Sequence, residues 1–203
     1  MLRLPFRLSL SAAALVAANL VPLVAVALGW WSTFEVMLLF WAENVVIGLL
    51  QVLRFATLAA LAGKLAALGF AVFFTFHYGL FTFVHGVFVV TLFAPSGSDM
   101  TEPVDALPLL LSPDGLLWGL GALAASHLVS YAVNFVGAGE CWRVEPPALM
   151  TQPYGRVVVL HLAIIFGGAV TLMLNEPAMA LVVLVVLKIA LDLTAHLAEH
   201  RSR

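Results

Sequence analysis

Eight side chains in this sequence have the right chemistry to hold a metal or move a proton, and they sit where chemistry is expensive. Glu43, His77, His85, His127, His161, Lys188, Asp192 and His196 all fall inside long apolar runs. An ionisable group in hydrocarbon costs several kcal/mol unless it is paired or hydrated, so each needs a partner or a purpose. Imidazoles mixed with carboxylates suit Zn, Fe or Mn, with Cu as a further candidate. A catalytic zinc takes three protein ligands and keeps a fourth position for water, whose pKa it lowers. The residue types therefore point to a divalent metal, Zn or Fe foremost. His77, His127, His161, Asp192, Glu43 and His196 are the candidate ligands, with Glu43 or Asp192 as general base. Lys188, His85, Ser130, Tyr131 and Asn44 are candidate outer partners or relay groups. With neutral imidazoles, Glu43, Asp192 and Lys188 sum to −1, which a bound cation would offset.

Several functions share these residues. A metal-dependent hydrolase acting on a membrane-embedded substrate is the first expectation. A metal-ion or proton transporter or relay is the alternative, and haem ligation by two histidines or a purely structural subunit are the others. In the structural case Lys188 pairs with Asp192 or Glu43, and the polar core only fixes helix register. His196 and His200 are four apart, but no Glu follows His196 directly, so the metalloprotease pattern is incomplete.

The elements that carry these residues are transmembrane helices. Six apolar stretches, near 9–29, 33–53, 66–93, 115–137, 155–175 and 177–199, are long enough to cross a hydrocarbon core of about 30 Å. Their length and lack of period-two alternation exclude strands. Turn chemistry separates them at Trp30-Trp31-Ser32, Ala94 to Asp99, Gly137-Ala138-Gly139 and Asn175-Glu176-Pro177. On a rise of ~1.5 Å per residue from the basic side, Glu43, His77 and His127 lie roughly 15–17 Å deep, with Asp192 and His161 somewhat shallower. The same ruler puts His85 about 12 Å beyond His77, at an outer site or none. Lys188, Asp192, His196 and His200 recur every four residues as one stripe, and His127, Ser130, Tyr131 and Asn134 share a face of the fourth stretch. Small residues at Gly115, Gly119, Ala122 and Ser126, and at Gly167-Gly168, suit close helix packing.

Composition agrees. Hydrophobic residues make up 63% of the 203 positions and charged residues 10%, too few to coat a water-facing surface. The expectation is an all-α, polytopic membrane bundle of about six spans, forming one domain over 1–203 with the lipid bilayer as its partner. Eight of the nine basic residues, all but Lys188, fall on one side of the six-span arrangement. The positive-inside rule makes that side, with both termini, cytoplasmic, in the inner membrane of a bacterium. The opposite loop holds Asp99, Glu102, Asp105 and Asp114 without Lys or Arg. A net charge of −2 gives no basic excess for nucleic acid, and Cys141 alone allows neither an intrachain disulfide nor a thiolate cluster. The first stretch resembles a signal peptide with a cleavage site at Ala25-Val26-Ala27. Its longer apolar run favours a retained span, and removal would leave five.

Two blocks carry a family resemblance. Trp41-Ala42-Glu43-Asn44-Val45-Val46-Ile47-Gly48 resembles a W-x-E-N-x-x-x-G signature, and Phe76 to Phe88, containing His77, His85 and Gly86, is similar to a second one. Ser126-His127 with Ser130, Pro153-Tyr154-Gly155-Arg156 before His161, and Lys188 through Asp192 to His196 complete the pattern. From Trp41 onward the chain resembles the prokaryotic membrane family called domain of unknown function 6498. The resemblance implies a helical membrane protein and supplies no reaction, substrate or cofactor.

Overall fold

A computed structural model describes residues 23–113 and 116–174, with Val182, Val185 and Val186 besides. The described residues are helical, without a strand. Helix α1 spans Thr33–Leu61 and opens with a capping box. The Glu35 amide donates to Ser32 Oγ at 3.1 Å, and the Ser32 amide donates to Glu35 Oε2 at 2.6 Å. Two of the free amides at the helix start are thereby satisfied. A short link reverses the chain into α2, Ala66–Phe93, which packs antiparallel to α1 as its principal neighbour.

Close approach sets the register of this pair. Gly86 gives α2 a bare spot against the Trp41 indole, whose Nε1 donates to the Thr82 carbonyl at 2.7 Å. A 3-10 turn, Pro103–Ala106, and one turn of helix, α3 (Leu107–Leu110), cover the far end. The Asp105 carboxylate accepts from the Thr101 and Glu102 amides at 2.8 and 2.9 Å, and these donors hold its pKa below the usual carboxylate value.

Helix α4, Leu117–Ser130, runs parallel to α1, with Gly119 against Leu39. It widens into a π-helical turn over Tyr131–Gly137. Two short helices follow, α5 (Glu140–Arg143) and α6 (Pro146–Thr151), before α7, Tyr154–Leu174. Lys64 ties the α1–α2 link to this segment, donating to the Val144 carbonyl at 2.7 Å and to Glu145 Oε1 at 2.8 Å.

Three helices, Thr33–Leu61, Ala66–Phe93 and Leu117–Gly137, are long and apolar enough to cross a membrane. Much of α2 presents large apolar side chains outward: Phe76 is 76% exposed and Leu80 63%. Such a surface suits lipid. The fifth expected stretch is helical as α7, whose described apolar run is Val157–Ala169. The sixth stretch, apart from three valines, and most of the first lie outside the described residues.

Among the described residues two apolar cores form inside. One gathers Met37, Leu38, Val89, Val90, Leu160 and Ile164, and the other Phe55, Leu58, Phe74, Phe135, Cys141 and Leu149. Between them along α1 the buried positions turn polar, at Glu43, Asn44 and Gln51. Along α2 the same change falls at Thr82 and His85. His127 lies between Leu123 of the first core and Tyr131 of the second, and His161 between Val157 and Ile164. Four helices thus deliver polar groups to one layer between two apolar ones.

Candidate functional site: two histidine dyads and a polar cavity

The layer holds two hydrogen-bonded pairs. On α1, Glu43 is 6% exposed, and its Oε1 lies 3.0 Å from His127 Nε2 on α4. The carboxylate accepts, so Nε2 carries a proton, and in a neutral ring Nδ1 is left as the lone pair. On α2, His85 Nδ1 lies 2.6 Å from the Phe81 carbonyl, and its Nε2 lies 2.9 Å from His161 Nδ1 on α7. A carbonyl only accepts, so His85 carries its proton on Nδ1. In a neutral His85, Nε2 then accepts from the proton on His161 Nδ1. His161 Nε2 is left with a lone pair, and its side chain is exposed. Each dyad is therefore a backing group behind an imidazole whose other ring nitrogen has no hydrogen-bond partner among the described residues, the arrangement that fixes the tautomer of proton-transferring and metal-binding histidines.

Trp41 sits against Thr82 and Gly86, and Glu43 follows Trp41 by two residues. The two dyads are thus about one helical turn apart along the axis, ~5 Å.

The expected single cluster is regrouped. His77 joins neither pair. Its ring packs among Phe73, Phe81 and Tyr154, with centroids at 5.3, 5.0 and 5.8 Å. His85, expected to stand apart, is the partner of His161. Both placements have one cause. The depth ruler started every span at a common plane, but residues 138–153 fold back into the bundle, where Cys141 and Leu149 are fully buried. Helix α7 consequently starts partway along α2, with Tyr154 against Phe74, His77 and Tyr78. His161 is carried up to His85, and Gly168 to Leu92. Among the described residues no three His, Cys, Asp or Glu side chains converge on a common point. Lys188, Asp192 and His196 lie outside the described residues.

The outer partners also sort themselves. Asn44 Nδ2 donates to the Phe40 carbonyl of its own helix at 2.9 Å, and the Tyr78 hydroxyl donates to the Asn44 carbonyl at 3.1 Å. Tyr131 meets Thr57 Oγ1 at 2.7 Å, and Thr57 itself donates to the Leu53 carbonyl, so the tyrosine is the donor. Ser130 Oγ accepts from Asn134 Nδ2 at 3.2 Å and faces a cavity.

That cavity, about 210 Å³, lies beside the first dyad. Gln51, Arg54, His127, Ser130 and Gln152 supply its polar wall. Gln51 Nε2 donates to the Leu149 carbonyl, and Arg54 Nη1 donates to Gln152 Oε1 at 3.3 Å. The guanidinium carbon stands 5.3 Å from the Phe135 ring centroid. Arg54 and Gln152 are the participants that the sequence reading missed. Arg54 served there only as an orientation marker, although its spacing of three from Gln51 puts both on one helix face.

No curated protein and no solved structure matches the chain. The model of the family described as a family of unknown function, DUF6498, matches residues 1–203, beyond the stretch from Trp41 that carries the signatures. With helices of membrane-crossing length among its described residues and a family match over its whole sequence, the chain belongs to the DUF6498 family.

Proposed function

We propose that this protein is an integral membrane proton relay in which His127 exchanges protons between a water-accessible cavity and the buried carboxylate of Glu43. The observation that carries the reading is the position of His127, which lines the cavity and also meets Glu43 Oε1 at 3.0 Å. Water entering the cavity can exchange a proton at the ring nitrogen that has no partner among the described residues, while the hydrogen bond to Glu43 passes or receives the proton on the other. The His85–His161 pair, about a turn further along, is the next station. The cavity lies on the side that carries Lys64 and Arg143, which the positive-inside rule assigns to the cytoplasm.

A metal-dependent hydrolase is the second reading, favoured by the free nitrogens on His127 and His161, each backed as a metal ligand would be. It needs further donors, and Asp192 and His196 are the candidates that the sequence offers. The contacts of 3.0 and 2.9 Å inside the two pairs are hydrogen bonds that back the imidazoles in either reading.

Purified protein in liposomes carrying a pH-sensitive dye tests the relay. Wild-type protein is expected to dissipate a pH gradient faster than empty liposomes, with Glu43→Gln and His127→Ala abolishing the excess. A wild-type rate equal to that of empty liposomes overturns the relay. Elemental analysis of the same sample showing a stoichiometric transition metal, lost in His127→Ala, would favour the hydrolase instead.

A further inference from the structure

We infer that the cavity beside His127 is a binding site for a phosphate-type oxyanion, with Arg54 as its charged anchor. Arg54 makes no ion pair among the described residues, where the salt bridges are Lys64–Glu145 and His127–Glu43. Glu140 acts on it through space, without contact. Its Nε–H is shut off from solvent and has no acceptor among the described residues, Nη1 is used by Gln152, and the residue lines the cavity. A guanidinium presents its donors as a fork that fits two oxygens of one anion.

The rest of the wall agrees in sign. Among the described residues no carboxylate lines the cavity, whose described polar residues are Gln51, Arg54, His127, Ser130 and Gln152. The Ser130 oxygen already accepts from Asn134, which leaves its hydroxyl proton free to donate. A volume of about 210 Å³ exceeds the space of a few waters. Arg54 directly follows the apolar stretch expected to span at 33–53, which sets it at the boundary between head groups and acyl chains on that reading. Lipid phosphate and free phosphate both reach that depth, and both present the same oxygens. The site does not depend on proton exchange at Glu43, because its anchor is the guanidinium.

The test uses the full chain in phosphatidylcholine nanodiscs. Inorganic phosphate is titrated calorimetrically, and retention of phosphatidic acid is read by native mass spectrometry from discs prepared with and without that lipid. Saturable one-to-one binding of at least one probe is expected; phosphatidic acid alone assigns the site to a lipid head group, and phosphate alone to the free ion. Arg54→Gln should weaken binding about tenfold or more, and Arg54→Lys by less, because an ammonium keeps the charge and loses the fork. Ser130→Leu fills the cavity without changing charge and should also abolish binding, which decides the matter if Arg54→Gln does not fold. Arg143→Gln, the same charge change outside the cavity, should bind as wild type does. The site is refuted if neither probe binds wild type saturably, if Ser130→Leu or a folded Arg54→Gln binds as tightly as wild type, or if Arg143→Gln loses as much as they do.

Discussion

Gly86→Ala and Gly79→Ala place one methyl group on the same helix, and the structure gives them opposite signs. A Cβ at Gly86 would lie 2.5 Å from Pro103 Cγ and 2.7 Å from Trp41 Cε2 and Nε1, where no carbon can stand. The proline ring and the indole must move, and Trp41 is 8% exposed with its Nε1 bonded to the Thr82 carbonyl. Overpacking costs about 1–3 kcal/mol. Loss of the indole hydrogen bond adds about 1 kcal/mol, and the better helix propensity of alanine returns about as much. The net for Gly86→Ala is a destabilisation of about 1–3 kcal/mol. A Cβ at Gly79 meets nothing within 4 Å, so only propensity acts and the helix gains about 0.5–1 kcal/mol. Both variants are unfolded by heat in one detergent, with tryptophan fluorescence reporting the surroundings of the indole rings. Shifts of the same sign, or a Gly86→Ala protein as stable as wild type, would refute the claim that the indole against bare backbone sets the register of α1 on α2. The consequence reaches the site, because that register fixes the height of Glu43 relative to His85.

The remaining predictions concern the first dyad and the far loop. In a double-mutant cycle of Glu43→Gln and His127→Gln, thermal unfolding should give a coupling of about 1–3 kcal/mol; additive effects would mean that the pair does not interact. Asp105 has its folded pKa lowered by the amides of Thr101 and Glu102. Its contribution is therefore present above the unfolded carboxylate value of about 3.9 and is lost as pH falls through the lower folded value. Hydrogen exchange at the Glu102 amide should accelerate on acidification through that window, corrected for the intrinsic pH dependence of exchange. Asp105→Asn should lack that step, and an unchanged step in the variant would assign it to another group.

Helix positions were legible because apolar length and breakers act locally. Ser32 with Glu35 starts α1, and Pro95-Ser96-Gly97 follows the end of α2. The membership of the polar layer was legible in part, since lipid rejects Glu43, His127 and His161 wherever the helix ends lie. The pairing was not. It depends on where each helix begins relative to its neighbours, and that offset is set by Cys141 and Leu149 packing under Phe55 and Phe74, a tertiary contact with no local periodicity. Hence depth along each span groups His77 with Glu43 and His127 and sets His85 apart, whereas His85 meets His161. The cavity stayed hidden for a related reason: Gln152 reaches Arg54 only because the segment between the π-turn and α7 folds inward.

The signature blocks divide by what their side chains touch. Trp41 and Gly86 meet each other, and a Cβ on Gly48 would lie 2.8 Å from Tyr78 Cε1, so these four lock α1 to α2. Glu43 and His85 sit between those locks, and each points its polar atoms at a different helix, α4 and α7 respectively. A polar core serving only to hold helices together would need no open space beside it. Yet the Glu43–His127 pair borders a cavity lined by Arg54, which makes no ion pair among the described residues. Replacing Arg54 and its polar neighbours by apolar side chains that fill the space would have removed the desolvation cost of the guanidinium and improved packing. Its persistence beside a backed imidazole is what a site for exchange requires, and what a purely structural bundle does not.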